Sequence, residues 1–325
     1  MFGSYFITQS KIMRKLLFFL VLIVVTAATA YSPLPSDPPL KALVADTLPQ
    51  APTPLESYQH EVLTNALLEK LYANKHWKKL IDSKKMSISL VDMQDPERPR
   101  FASINGDEMM YAASLPKIAV LLAAMDALHK GELEATPQVQ QDMRIMISKS
   151  SNTAASRMID RVGYEKIAEV LTHPEYRLYD EEQGGGLWVG KRYGRSDRRM
   201  PDPMKGLSHA ATSNQVARFY YLMAKGRLIS PEKSQEMMHI MEGPELHHKF
   251  VNTLDRLAPN AAIYRKSGSW STYHSDSALV IDGDWRRYIL VALIDDSQGE
   301  TICRQLVSEA EKAIQNTVSE KVARR

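Results

Sequence analysis

From Leu115 to Leu128 the chain reads LPKIAVLLAAMDAL, a run whose only charged residues are Lys117 and Asp126. A helix that is apolar around its whole circumference has to be buried on most sides. Covering it takes several neighbouring elements. A chain of 325 residues with 44% apolar and 24% charged side chains supplies them and builds a sizeable core. With 15 Gly and 17 Pro, the composition is far from disordered or collagen-like chains.

Around this run the spacing of apolar residues predicts further elements. Leu63, Ala66, Leu67 and Leu71, widened by Leu68 and Tyr72, form one face of a helix within residues 57 to 81. Met86 to Asp92 alternates apolar and polar, as a half-buried strand does. Pro96 and Pro99 interrupt that pattern, and a turn at Asn105-Gly106 points to a second strand pair. Helices are expected at 138–148, 153–162, 165–171, 211–225 and 231–241, with a long loop region at 173–208. Strands at 261–266, 275–281 and 287–294 and an amphipathic helix at 302–318 close the chain. Strands near both ends with helices between them give an α+β fold: an antiparallel sheet of about five strands flanked by helices, beside an all-helical lobe.

The start of the chain reads differently. Leu16 to Ala30 is fifteen apolar or small residues after Met13-Arg14-Lys15, ending in Ala28-Thr29-Ala30. That is the pattern of a secretory signal peptide, and fifteen residues fall short of the roughly 20 that cross a bilayer. The segment is expected to direct export to the periplasm, either cleaved or kept as an N-terminal anchor. Residues 31–56 carry seven prolines and read as a leader, so the working domain is expected over 57–325.

Charge and cysteine content narrow the chemistry. Lys11, Arg14 and Lys15 account for the formal charge of +3, so the rest of the chain balances. A neutral body lacks the attraction that nucleic acids need. One cysteine, Cys303, closes no intrachain disulfide and seeds no thiolate metal cluster, and the nine histidines form no His-Glu-x-x-His motif. No metal or organic cofactor is expected; His247-His248 reads as a solvent-facing pair.

Ala113-Ser114-Leu115-Pro116-Lys117 stands where a loop becomes the buried helix. Three residues apart, the serine hydroxyl and lysine amine lie on one helical turn, within reach of each other. Nearby unpaired backbone N–H groups can polarise an acyl carbonyl. The apolar residues that follow drive Lys117 inward, where a desolvated amine favours its neutral, basic form. Two further segments add polar groups: Ser150-Ser151-Asn152-Thr153-Ala154-Ala155 before a predicted helix, and Tyr264-Arg265-Lys266-Ser267-Gly268-Ser269 at the end of a predicted strand. Ser150 can relay a proton, and Asn152 can bond both Lys117 and a substrate amide.

Together the three segments resemble the serine acyl-enzyme family of class A beta-lactamases and penicillin-binding proteins, in the right order over roughly residues 60–323. The resemblance implies the beta-lactamase/transpeptidase-like fold and a nucleophile at Ser114 beside Lys117. Ser150 and Asn152 would form the opposite wall; Lys266 and Ser267 would hold the substrate carboxylate, with Gly268 on the same strand. The N–H groups of Ser114 and Ser269 would form an oxyanion hole. It implies an exported, monomeric serine beta-lactamase, with a DD-peptidase or other penicillin-binding hydrolase as the alternative. The substrate would be a small beta-lactam or a peptidoglycan-like peptide. Whether Lys117 or a carboxylate acting through water takes the Ser114 proton stays open.

The family's Glu-x-x-Leu-Asn segment, whose glutamate activates the deacylating water, has no counterpart string here. Glu182 in Arg177-Leu178-Tyr179-Asp180-Glu181-Glu182 is the nearest candidate, followed by Glu181. Trp188 and Tyr193 either line the rim of the site or plug the long loop. Arg265, by strand alternation, points away from Lys266.

Overall fold

The computed structural model of the protein describes residues 53–194, 198–283 and 285–323. The signal-like segment 16–30 and most of the Pro-rich stretch lie outside the described residues. Among those described, no helix is long and apolar enough to cross a membrane.

In chain order, helices α1 (Glu61–Tyr72) and α2 (Lys75–Asp82) precede strands β1 (Met86–Asp92), β2 (Arg100–Ile104) and β3 (Met110–Tyr111). Then come helices α3 (Lys117–His129), α4 (Pro137–Ser148), α5 (Asn152–Val162) and α6 (Tyr164–Thr172). Short strands β4 (Tyr179–Asp180), β5 (Gly185–Gly186), β6 (Trp188–Val189) and β7 (His209–Ala211) lead to α7 (Ser213–Ala224), α8 (Pro231–Met241) and α9 (Phe250–Leu257). The chain closes with β8 (Ala262–Trp270), β9 (Tyr273–Asp282), β10 (Arg286–Asp295) and α10 (Gly299–Ala323).

The main sheet is five-stranded and antiparallel, in the order β2-β1-β10-β9-β8. Its middle joins the two ends of the chain, with Met86 opposite Ile294 and Asp92 opposite Tyr288. One face packs Ile88, Leu90, Val280, Leu290 and Ala292 against Leu63, Leu67 and Leu71 of α1 and Ile302, Leu306, Ala310 and Ile314 of α10. At about 25 cal/mol per Å² of apolar surface removed from water, such a two-sided layer is the main source of stability. The α+β architecture expected from the element order is what the chain adopts.

Four expectations change in the structure. The single helix of residues 57–81 is two helices, because the Asn74 side chain accepts from the N–H groups of His76 and Trp77 and starts α2 afresh. Strand β1 is buried on both faces, not one: Ser87 and Ser89 face α7, where their hydroxyls lie 2.7 and 2.9 Å from Ser213 Oγ. Asn105-Gly106 makes no hairpin. The Asn105 amide donates to the carbonyls of Ile81 and Met86, and the chain leaves the sheet so that β3 pairs with β7. The Lys266-Ser267-Gly268 segment is not at a strand end, since pairing with β9 carries β8 on to Trp270.

Helix α3 is the buried one: from Lys117 to Ala127 every residue is enclosed, with α4, α5, α6 and α8 around it. This helical lobe and the β8 edge of the sheet meet at the N-terminus of α3.

Candidate active site

Ser114 lies in the tight turn that enters α3, where Leu115 N–H donates to the Ala112 carbonyl and Lys117 N–H to the Ser114 carbonyl. Ala113, just before it, has φ of 50°, a left-handed value unusual for a residue with a Cβ. The turn is docked on the sheet. Ser275 Oγ of β9 donates to the Ala112 carbonyl at 2.9 Å, and Gly268 of β8 presses against the same segment. A Cβ on Gly268 would fall 2.3 Å from Ala112 O and 2.6 Å from the Ser114 nitrogen, so only glycine permits this approach.

Lys117 is wholly buried, while Ser114 keeps some exposure to solvent. The lysine Nζ lies 3.1 Å from Ser114 Oγ, 2.6 Å from the Ser150 carbonyl, 3.3 Å from Ser150 Oγ and 2.8 Å from Asn152 Oδ1. Two of these partners, the Ser150 carbonyl and Asn152 Oδ1, can only accept. A neutral amine gives each a proton and keeps its lone pair for the Ser114 hydroxyl. Burial pulls the Lys117 amine down to about 7, so the neutral form is accessible near neutral pH.

The opposite wall is held by local geometry. Ser150 has φ of 57°, and Ser151 caps α5 by accepting from Ala154 N–H, which sets Asn152 as the first helical residue. Lys266 reaches across from β8 and donates to Ser150 Oγ at 2.9 Å and to the Ser267 carbonyl at 2.6 Å. Burial first, and then the nearby Lys117 and Arg265 charges, hold its amine well below the ordinary lysine range. Residues 114, 117, 150, 152 and 266, remote in sequence, thus form one hydrogen-bonded chain of atoms. Ser267 is buried beside Gly268, whereas Ser269 is exposed at the outer part of β8. Arg265 points to the other side of the strand and forms a buried, two-pronged pair with Asp276.

Glu182 does not join this group. It stands exposed in a short 3-10 turn whose start is fixed by Asp180 accepting from its N–H. Past Gly184 the chain is pinned by β5, where Gly186 fits close against the Leu178 carbonyl, and the turn is left facing outward. Among the described residues no hydrogen bond or ion pair connects Glu182 or Glu181 with Ser114 or Lys117. Trp188 is buried and donates through Nε1 to the Met200 carbonyl, so it is part of the loop's packing.

Tyr193 is the residue whose place the sequence left open. Its ring centre lies 4.4 Å from Lys117 Nζ, its Oη is 3.4 Å from the Ala113 carbonyl, and its ring packs at 4.3 Å on His209. Enclosure pushes the phenol well above its usual range. His209 is held by the Lys191 carbonyl at 3.0 Å, and burial pulls it to about 4, leaving it neutral. His248 also differs from expectation: its Nε2 is 3.2 Å from Ser267 Oγ, while His247 alone is solvent-facing and pairs with Asp255. A lone Tyr in a Gly-rich loop and a His pair at a helix start carry no periodic signal, which is why spacing arguments miss them. Among the described residues, no three His, Cys, Asp or Glu side chains converge as metal ligands.

The arrangement provides a partly exposed hydroxyl, an adjacent amine near neutrality and a second hydroxyl between two amines, which together suit serine acyl transfer. Comparison with known proteins bears on the fold and the family. The family model of the Beta-lactamase enzyme family matches residues 73–323. No curated protein sequence matches the chain. Among solved structures, a beta-lactamase from Sphaerobacter thermophilus superposes with a TM-score of 0.57 at 16% identity, over 77% of this chain and 95% of that one. PBP-A superposes with a TM-score of 0.56 at 18% identity, over 85% of this chain and 100% of that one. A class A beta-lactamase from Bacteroides cellulosilyticus gives 0.57 at 14% identity, over 80% and 100%. Such low identities carry the fold alone, and the family model carries the membership: the chain belongs to the Beta-lactamase enzyme family, on a fold it shares with beta-lactamases and PBP-A.

Proposed function

We propose that this protein is a penicillin-binding acyl-serine hydrolase of the DD-peptidase kind, which forms a covalent ester at Ser114 and releases beta-lactams slowly. The observation that carries this reading is the 3.1 Å contact between Ser114 Oγ and a Lys117 amine pulled down to about 7. In the first step the Lys117 lone pair takes the hydroxyl proton as Oγ attacks the acyl carbonyl carbon. The resulting oxyanion meets the N–H groups of Ser114 and Ser269. Ser150, 3.3 Å from Lys117 and 2.9 Å from Lys266, passes a proton to the leaving nitrogen as the C–N bond breaks. Lys266 and Ser267 hold the substrate carboxylate.

Slow release follows from the surroundings of the ester. The exposed Glu182 carboxylate makes no contact with Ser114 or Lys117, and a deacylating water without a positioned base reacts slowly. PBP-A, among the similar structures, is described in a substituted form as an acyl-enzyme complex with penicillin-G, which supports a stable adduct as an outcome on this fold. The signal-like segment 16–30 would deliver the enzyme to the periplasm, where peptidoglycan-like peptides are found.

The test is intact-mass measurement after mixing with benzylpenicillin. The expected result is a stoichiometric adduct that persists for many minutes and is absent from Ser114→Ala. Prompt loss of the adduct with hydrolysed product in excess would support an efficient beta-lactamase instead, and no adduct at all would refute acyl transfer.

A further inference from the structure

Against strands β8 and β9 lies a lysine that the steps above do not use. Lys249 has no exposed surface, and its Nζ donates to the Gly268 carbonyl and, at 3.0 Å, to the Ser275 carbonyl. No ion pair to it occurs among the described residues, and its two hydrogen-bond partners are neutral carbonyl oxygens. Burial lowers its affinity for the proton. Its backbone has φ of 54° and ψ of −123°, a conformation costly for any residue with a Cβ.

The surroundings keep it there. Arg265 donates to the carbonyls of Leu246 and His248, and Asp276 accepts from Phe250 N–H, which fastens the segment before α9 to β8 and β9 on both sides of Lys249. Gly268 and Ser275 are register partners in the β8–β9 pairing, and Ser275 Oγ also approaches the Gly268 oxygen at 3.4 Å. A strained backbone and a desolvated amine are thus maintained where sheet pairing already supplies neighbours.

The Gly268 carbonyl and the Ser269 N–H belong to one planar trans peptide unit, and they point in opposite directions. Strand β8 is the edge of its sheet, and Gly268 is the residue pressed against the Ser114 nitrogen. Fixing the carbonyl inward therefore fixes the Ser269 N–H outward, on the side of the nucleophile. A donor on the carbonyl oxygen also polarises the peptide and strengthens its N–H as a donor in turn.

We infer that Lys249 is a positioning residue for acyl transfer: through its bond to the Gly268 carbonyl it orients and polarises the Gly268–Ser269 peptide, whose N–H stabilises the oxyanion at Ser114. The inference rests on the acyl-serine reading above.

The experiment compares wild type with Lys249→Met, which keeps the volume and removes the donor, and with Lys249→Gln, polar but one bond too short for the same reach. Each is mixed with benzylpenicillin; the acylation rate is followed by intact mass, and the acyl carbonyl stretch by difference infrared spectroscopy. Acylation is expected to slow about 10- to 100-fold, less than the ~100- to 1000-fold that follows loss of an oxyanion donor outright. The stretch is expected to move to higher wavenumber, with the melting temperature of Lys249→Met at or above that of wild type. If Lys249→Met does not fold, Lys249→Gln carries the same two expectations. A folded variant that acylates within twofold of wild type, with an unshifted stretch, overturns the role of Lys249 and leaves acyl transfer standing. Failure of wild type itself to form an adduct overturns both.

Discussion

Lys117 Nζ lies 4.4 Å from the centre of the Tyr193 ring, so the amine that meets the Ser114 hydroxyl on one side is covered by an aromatic face on another. The face of an aromatic ring attracts a cation and so favours the protonated amine, against the burial that favours the neutral one. On the acyl-serine reading, the balance of the two would set the pH at which Ser114 is activated.

The acid limb of acylation should therefore report Lys117. Only the neutral amine accepts the serine proton, and burial brings it to about 7. The acylation rate constant is expected to rise about tenfold per pH unit below that value and to level off above it. Rates measured by stopped-flow from pH 5 to pH 9 test this; a flat profile would remove Lys117 as the base.

Replacing Tyr193 separates the ring from the burial. Tyr193→Leu keeps an apolar cover but removes the quadrupole that favours the ammonium, a change of about 0.5–2 kcal/mol. At 1.36 kcal/mol per pKa unit the acid limb should move to lower pH by roughly 0.4 to 1.5 units. Tyr193→Phe, which keeps the ring, should leave the limb in place.

Glu182→Gln should leave the lifetime of the penicillin adduct unchanged within about twofold, because the side chain is exposed and bonded to no part of the site. A tenfold longer lifetime in the variant would show that the carboxylate reaches the ester and would restore the hydrolytic beta-lactamase reading.

Gly268→Ala tests the docking of the Ser114 turn on β8. The added methyl would meet backbone atoms of Ala112 and Ser114, which cannot rotate out of the way. Overpacking of this kind costs about 1–3 kcal/mol. Acylation is expected to fall more steeply than stability, since the displaced atoms include the Ser114 N–H. Urea unfolding beside acylation kinetics distinguishes the two.

Arg265→Met should destabilise the fold by about 3–5 kcal/mol, the range for leaving one partner of a buried pair without its counter-charge. Asp276 is fully enclosed and would lose both guanidinium bonds. A lowered urea midpoint with an unchanged slope is the expected reading.

The parts of this molecule legible in the sequence are those that repeat or that sit in short strings. The apolar run after Lys117, the apolar stretches of β9 and β10 and the turn residues around them outline the α+β layout, because runs of apolar side chains report burial directly. Ser114, Lys117, Ser150, Asn152 and Lys266 are readable because each lies in a compact string, the first four around helix starts and Lys266 within β8. Tyr193, His209 and Lys249 are not, since their places come from tertiary packing of a long loop and of the segment before α9. A buried lysine is spelled like a surface one. The serines of β1 mislead for a related reason: alternation marks the two faces of a strand but not whether a helix such as α7 covers the polar one.

The hydrogen bond from Ser275 to the Ala112 carbonyl ties the Ser114 turn to a strand 163 residues away along the chain. A fragment of the polypeptide that ends before β9 lacks this bond, because Ser275 lies in one of the last sheet strands to be synthesised. On the acyl-serine reading, covalent capture at Ser114 would therefore double as a gauge of folding far enough advanced to bring β9 onto this turn.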